Sequence, residues 1–161
     1  TRMRVGFGYD IHQLKAGRPC ILGGVHIESE LGPDGHSDAD VLIHALMDAM
    51  LGAAGLRDIG YYFPPEDDQY KGISSMLLLE KVNFLLKERG LQAYNIDIMV
   101  ISETPKLKPH IDTMKANLQS VLEIPLERIS IKATTNEMLG AIGRREGIAA
   151  QAVVSVYEGE V

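Results

Sequence analysis

Asp10 and His12 stand two residues apart in an alternating run, Arg4-Val5-Gly6-Phe7-Gly8-Tyr9-Asp10-Ile11-His12, that reads as a β-strand. Side chains at i and i+2 of a strand leave the same face, so carboxylate and imidazole point together at whatever packs there. His44 lies in the longest apolar stretch of the chain, Val41 to Leu56, and a buried helix there can bring it to the same place. One carboxylate and two imidazoles are ligands that a divalent zinc ion accepts, and three protein ligands leave a fourth position open for water or substrate. Asp48, one turn beyond His44, or a backbone carbonyl is placed to take the other imidazole proton and fix the tautomer. Ordinary core or surface histidines fit the same short D-x-H spacing, so spacing motivates a metal without establishing it.

Asp34-Gly35-His36-Ser37-Asp38-Ala39-Asp40 sets polar groups just before a helix start, where free N–H groups and the helix dipole attract anions such as phosphate. His36 and Ser37 are the candidate phosphate contacts. Capping of the helix by Ser37 and Asp40 accounts for the same pattern, and the acidic neighbours repel phosphate unless a metal intervenes. Further on, Lys132-Ala133-Thr134-Thr135-Asn136-Glu137 leads into a glycine-rich segment, Leu139 to Gly147, that carries Arg144 and Arg145. A diphosphate calls for hydroxyl or backbone donors, a magnesium held by one carboxylate plus phosphate oxygens, and a cationic side chain. A Thr-Asn turn followed by a solvated arginine pair is the structural alternative. Asp58-Ile59-Gly60 reads as a tight helix exit and Glu103-Thr104-Pro105-Lys106 as a strand-to-helix loop.

The elements that must position these groups follow from periodicity. Cys20 to Ile27, broken by Gly23-Gly24, reads as a bulged strand or hairpin. Ser37 to about Leu56 reads as a helix with Ser37 as N-cap and Asp40 completing a capping box, and Asp40, His44 and Asp48 form one polar stripe at i, i+4 and i+8. Pro64 to Gly72 is acidic and rich in turn formers, which predicts a mobile surface loop. Helices are predicted over 73–88 and 109–122, and strands over 94–102, 128–134 and 148–157. The order β(ββ)ααβαβ, with the last strand closing the sheet, implies a single α+β (α/β layered) domain over 1–161, a mixed β-sheet covered by helices on one face.

Composition narrows the function. The 161 residues carry 16 Lys plus Arg against 22 Asp plus Glu, a formal charge of −6, so the broad cationic face of a nucleic-acid binder is not expected and an anionic ligand must be held locally. The apolar fraction of 45% supports a folded core rather than a disordered chain. Cys20 is the only cysteine, which excludes intramolecular disulfides and cysteine-rich zinc sites and points to a reducing compartment. The apolar stretch around His44 is too short and too polar for a bilayer, so a soluble protein with no membrane partner is expected. Thr1-Arg2, ahead of Met3, look like an expression scar or the end of a processed leader.

Taken in order, Gly8-Tyr9-Asp10-Ile11-His12, Gly35-His36-Ser37-Asp38, His44, Asp58-Ile59-Gly60, Thr104-Pro105-Lys106, Lys132-Ala133-Thr134-Thr135 with Glu137, and Gly143-Arg144-Arg145-Glu146-Gly147 resemble the 2-C-methyl-D-erythritol 2,4-cyclodiphosphate synthase family. The likeness runs from Met3 to about Tyr157. It implies a homotrimer with active sites between subunits, zinc (Zn2+) held by Asp10, His12 and His44, and magnesium or manganese (Mg2+ or Mn2+) at Glu137. It further implies that His36 and Ser37 contact the erythritol phosphate region, and that Asp58 and Gly60 hold the methylerythritol hydroxyls, with Phe63 and Asp67 beside the substrate. The cytidine diphosphate part is expected at Ser102, Pro105, Lys106, Lys108, Thr134 and Thr135. His36, Asp48 and Thr135 are the expected catalytic positions, and Arg144 matches a position that binds anionic phosphate in the trimer's central cavity, where an isoprenoid diphosphate is the implied ligand. Two positions depart from the pattern: Pro65 stands where the family usually has an aspartate near the ribose, and Ala141 replaces a common phenylalanine near the cavity.

The reaction so implied is a metal-dependent cyclisation of 4-diphosphocytidyl-2-C-methyl-D-erythritol 2-phosphate with release of CMP, in the non-mevalonate route to isoprenoids. The expected location is a bacterial cytoplasm, or a plastid stroma for a processed plant or algal chain. A zinc-dependent phosphohydrolase and a trimeric prenyl-diphosphate-binding protein with a structural metal are the alternatives, and product identity separates all three.

Overall fold

Alternation decides the first element of this computed structural model, which describes residues 2–159 and so leaves Thr1 of the expected leader remnant outside the described residues. Strand β1 runs Met3–Ala16, longer at both ends than the alternating run predicts. The hairpin expected over 20–27 is present as β2 (Cys20–Leu22) and β3 (Val25–Ile27), and its two-residue turn, Gly23 and Gly24, has φ +57 and +73, as turns matched to strand twist require. Next come β4 (Leu31–Pro33), α1 (Val41–Ala53), α2 (Ile59–Tyr62), α3 (Ser75–Glu88), β5 (Leu91–Ile101), α4 (Ile111–Leu122), β6 (Ile129–Thr134), α5 (Gly140–Gly143) and β7 (Gly147–Glu158). Pro109 falls in a short 3-10 turn ahead of α4 rather than in its first turn, and β4, α2 and α5 have no counterpart among the predicted elements.

The large sheet has the order β4-β1-β7-β5-β6, antiparallel except for β5 with β6, so the sheet is mixed as expected. Helix α1 lies on β1 and β7, α4 sits beside β6, and α3 joins α1, α4 and β5. The opposite face of the sheet is uncovered: Val5 is 70% exposed and Phe7 60%, on the odd positions of β1 that point away from the helices. This is an α+β domain with helices on one face. Apart from Asp48 and Gly52, every residue of α1 is buried, which explains why its apolar residues cover most of its circumference.

The helix starts at Val41, and its N-cap lies three residues later than the capping-box reading placed it. Ala39 takes φ +58, which no helix accommodates, and the N-cap is Asp40, whose carboxylate accepts the Ile43 N–H. The same carboxylate accepts the N–H groups of Gly23 at 2.9 Å and Gly24 at 2.8 Å, clamping the hairpin turn onto the helix end. Burial is complete at Asp40, and with Asp38 nearby it pushes the carboxyl up to about 6 against those three N–H donors. Among the described residues no helix is long and apolar enough to cross a membrane.

Candidate active site

Close approach between β1 and α1 builds the site. A Cβ at Gly6 would lie 1.8 Å from the Ala49 carbonyl oxygen, and one at Gly8 would lie 1.9 Å from that of Ala45, so the helix rests directly on strand backbone. Each step of two residues along the strand matches four along the helix, about 6.7 Å against 6.0 Å. Continuing the seam by one step sets Asp10 opposite the first turn of the helix, within reach of His44, and His12 lies one step further on the same face.

There, Asp10 Oδ2 lies 2.8 Å from His12 Nε2 and 3.2 Å from His44 Nδ1, and the two ring nitrogens are 3.4 Å apart. The edges of a tetrahedron with metal bonds of about 2.0–2.1 Å measure about 3.3–3.4 Å, close to these separations. Hydrogen bonds behind the rings decide what the three atoms offer. His12 Nδ1 is 3.0 Å from the Asp34 carbonyl, which only accepts, so Nδ1 carries the proton and Nε2 faces Asp10 with its lone pair. His44 Nε2 lies 3.0 Å from Ser75 Oγ, whose own hydrogen goes to Asp38 Oδ1 at 2.5 Å. His44 therefore donates from Nε2 and presents the Nδ1 lone pair inward.

Two lone pairs and a buried carboxylate oxygen with no aligned hydrogen-bond partner converge on one point, an arrangement that calls for a cation. Among the described residues this is the one cluster of three such side chains. The donor set and spacing fit a divalent metal.

The centre opens into a cavity of about 200 Å³ walled by His36, Ser37, Ile59, Gly60, Phe63, Pro65, Tyr70 and Leu78. His36 Nε2 bonds the Asp67 carbonyl at 2.9 Å and its own carbonyl accepts the Gly72 N–H, so the 64–72 segment is tied over the cavity through a 3-10 turn, Asp68–Tyr70. The Asp67 carboxylate is held below its usual range by hydrogen bonds from Gln69. A second cavity of about 270 Å³, sharing no residue with the first, is walled by Ser102, Glu103, Pro105, Lys106, Lys108, Thr134 and Thr135.

The sequence model of the YgbB family matches residues 3–157, nearly the whole chain. The chain belongs to the YgbB family. A relative in Synechococcus elongatus named 2-C-methyl-D-erythritol 2,4-cyclodiphosphate synthase is 59% identical, with 95% of this chain and 96% of the relative covered. Among solved structures, the bifunctional IspDF of Campylobacter jejuni superposes with a TM-score of 0.95 at 42% identity, covering 99% of this chain and 43% of that one. The CDP complex of IspF from Plasmodium falciparum gives 0.86 at 33% identity, covering 98% and 97%.

In this YgbB-family chain the expected residues fall into separate groups. Asp10, His12, His44, His36, Ser37, Gly60 and Phe63 gather at the three-residue cluster and its cavity, whereas Ser102, Pro105, Lys106, Lys108, Thr134 and Thr135 line the second cavity. Glu137 stands exposed on the turn after β6, with φ +53 and its N–H on Thr135 Oγ1, away from the three-residue cluster. Arg144 is exposed and paired with Glu146 at 2.5 Å. Asp48 does not orient His44, contrary to one of the two expectations; it accepts the Ile59 N–H at 2.9 Å and so holds the turn carrying Asp58 and Gly60. Behind His44 stands neither Asp48 nor a backbone carbonyl but the Ser75 hydroxyl, and a backbone carbonyl takes that place only at His12. Burial pushes the Asp48 carboxyl up, with the nearby charges of Asp58 and Asp10 adding to it.

Ser37 is not the helix cap: its hydroxyl oxygen accepts the Ala39 N–H and lies 3.1 Å from His44 Nε2. Sequence reading missed Ser75, hidden behind Ser74 in what looks like ordinary capping, and Glu103, whose carboxylate accepts the N–H groups of Asn136 at 2.6 Å and Met138 at 3.3 Å. Neither has a spacing signal.

Proposed function

We propose that this chain closes the ring of 2-C-methyl-D-erythritol 2,4-cyclodiphosphate, releasing CMP from 4-diphosphocytidyl-2-C-methyl-D-erythritol 2-phosphate in the non-mevalonate isoprenoid route. The observation that carries the reading is the converging set of Asp10 Oδ2, His12 Nε2 and His44 Nδ1 at the mouth of the Ser37 and His36 cavity. An oxygen of the 2-phosphate attacks the β-phosphorus, the new P–O bond closes the ring, and the bond to the CMP oxygen breaks, so no protein nucleophile is needed. Two phosphates must be brought together against their repulsion, and the chain's net charge of −6 cannot help. Zinc held by Asp10, His12 and His44, and magnesium or manganese held by Glu137 with phosphate oxygens, supply positive charge and Lewis acidity there.

The chain's own residues supply position. Ser37, whose oxygen accepts the Ala39 N–H and which finds no acceptor in a protonated His44 Nε2, keeps its hydroxyl hydrogen free for the 2-phosphate region, and His36 flanks it. Asp58 and Gly60, fixed by Asp48, take the methylerythritol hydroxyls, with Phe63 and Asp67 beside them. Ser102, Pro105, Lys106 and Lys108 receive the cytidine diphosphate part with Thr134 and Thr135, and His36 and Thr135 steady the transferring phosphoryl group from opposite sides. Pro65 puts an apolar ring on the cavity wall where the family usually has an acid, so ribose contacts differ there.

These two half-sites line separate cavities, which supports active sites completed between copies of the chain. The uncovered apolar face of β1 supports a homotrimer as the assembly that buries it. In that trimer Arg144 faces the central cavity, and an isoprenoid diphosphate bound there displaces Glu146 from its guanidinium. A reducing compartment, the bacterial cytoplasm, suits Cys20, whose thiol burial and Asp40 push up to about 11. The deciding experiment is phosphorus NMR of the protein with its substrate, zinc and magnesium, before and after chelation. Cyclic diphosphate plus CMP, lost on chelation, is expected; inorganic phosphate in its place overturns the reading.

A further inference from the structure

His44 differs from His12 in how its back is held. The partner of His12 is a main-chain carbonyl, which can only accept, whereas His44 Nε2 meets two hydroxyl oxygens, Ser75 at 3.0 Å and Ser37 at 3.1 Å, either of which is able to donate or accept. A neutral imidazole facing a free hydroxyl on that side would put its proton on Nδ1, where Asp10 Oδ2 lies 3.2 Å away and accepts it. Nδ1–H would turn a hydrogen, not a lone pair, toward Asp10 and His12.

What opposes that preference is Asp38. Its carboxylate takes the Ser75 hydroxyl at 2.5 Å on Oδ1 and the Ser75 N–H at 2.9 Å on Oδ2. Ser75 is fully buried, at the start of α3, and has one hydroxyl hydrogen to give. With that hydrogen committed to Asp38, Ser75 Oγ only accepts, and His44 must donate to it. We infer that Asp38 and Ser75 are a positioning pair that sets the tautomer of His44, keeping its Nδ1 lone pair available to the metal and leaving the Ser37 hydroxyl hydrogen free for substrate. Neither residue touches the metal, and both act through His44. The inference rests on the reading of Asp10, His12 and His44 as metal ligands.

The chemistry makes an asymmetric prediction. Ser75→Ala removes the acceptor. Asp38→Asn does something different: the carboxylate accepts the Ser75 O–H, the Ser75 N–H and the Asp40 N–H, and an amide cannot accept all three; with its nitrogen toward Ser75 Oγ that hydroxyl is freed to donate to His44, favouring Nδ1–H. The experiment measures zinc affinity of the full chain by competition with a chromophoric chelator, and the His44 ring-nitrogen NMR signals before and after zinc is added. Parent protein should carry the His44 proton on Nε2 once zinc is bound, and before zinc should hold a larger Nε2–H share than either variant, Ser75 and Asp10 pulling the proton to opposite nitrogens. Both variants should weaken zinc binding about 10–100-fold, with a mixed tautomer before zinc.

Ser74→Ala, which removes only a helix-cap hydroxyl, should bind zinc as the parent does. Folded variants with zinc affinity within about twofold of the parent, or with the same Nε2–H share before zinc as the parent, overturn the pairing alone. A parent that binds no zinc overturns the metal reading with it. Should Ser75→Ala fail to fold, Asp38→Asn and the parent spectrum decide.

Discussion

Gly8→Ala tests whether the contact between strand and helix is what sets the metal centre. The added methyl would sit 1.9 Å from the Ala45 carbonyl oxygen and 2.8 Å from the Ala49 nitrogen, both main-chain atoms that no rotamer change can move. Carbon atoms are essentially never closer than 3.0 Å to such neighbours, so α1 must retreat from β1 by roughly 1 Å beside His44. Separations of 3.2 Å to Asp10 and 3.4 Å to His12 would then exceed 4 Å, well outside the tolerance of about 0.2 Å for metal–ligand distances. Overpacking of this kind costs about 1–3 kcal/mol, and two backbone clashes place the expected loss at the upper end, about 3 kcal/mol.

Gly52→Ala is the control, on the same helix and facing the same strand. Its methyl would lie 4.0 Å from the Phe7 carbonyl oxygen, an ordinary contact. The better helix propensity of alanine should make that variant neutral or more stable by up to about 1 kcal/mol. Urea denaturation and zinc competition on both variants decide the matter. Gly8→Ala is expected to lose about 3 kcal/mol and to bind zinc at least about 100-fold more weakly, about 2.7 kcal/mol, although residue 8 touches no ligand. Parent-like denaturation midpoint and zinc affinity in Gly8→Ala would show that the seam does not set the site.

Three other outcomes follow. Asp40 has its folded pKa raised from 3.8 to about 6, so its contribution to stability is full below pH 3.8 and is lost as the pH rises through 6. Between pH 4.5 and pH 7, with chelator present throughout, the stability of the parent relative to Asp40→Asn should fall by about 2 kcal/mol, and a constant difference in urea titrations would contradict the shift. Glu103→Gln keeps one of the two backbone bonds to the 136–138 turn, so KM should rise about threefold to tenfold with denaturation unchanged, whereas a kcat effect at constant KM would refute a role in holding the nucleotide wall. Phe7→Lys places a charge at the centre of the uncovered face, and sedimentation should show dissociation to smaller species; an unchanged sedimentation coefficient would remove that face from the interface.

Most of the framework is legible because burial on one side writes a period into the sequence. Alternation in β1, β5 and β7 and the apolar run of α1 each identify an element within a few residues of its true ends. Legibility fails where length or conformation falls below what a pattern can carry. With three residues including Pro33, β4 has no room to alternate, and α2 has only four. The start of α1 is misread because Ser37-x-x-Asp40 imitates a capping box, while the left-handed Ala39 that breaks the helix there has no signature, alanine being rare in that region.

At the site the division is sharper. Asp10 and His12 are paired by a period of two and His44 is delivered by a period of 3.6, so the ligands themselves are visible before any contact is known. What makes them ligands rather than core histidines is the direction of their lone pairs, and that direction is set by Asp34 and Ser75, which reach the rings through β4 and α3. Neither β4 nor the register of α3 against α1 is written near the histidines. Gly6 and Gly8 carry the remaining piece, because bare backbone at alternate strand positions lets a helix approach until two strand residues and four helix residues advance together. The chemistry is therefore readable residue by residue, but the depth of approach that turns three side chains into one centre comes from positions with no side chain at all.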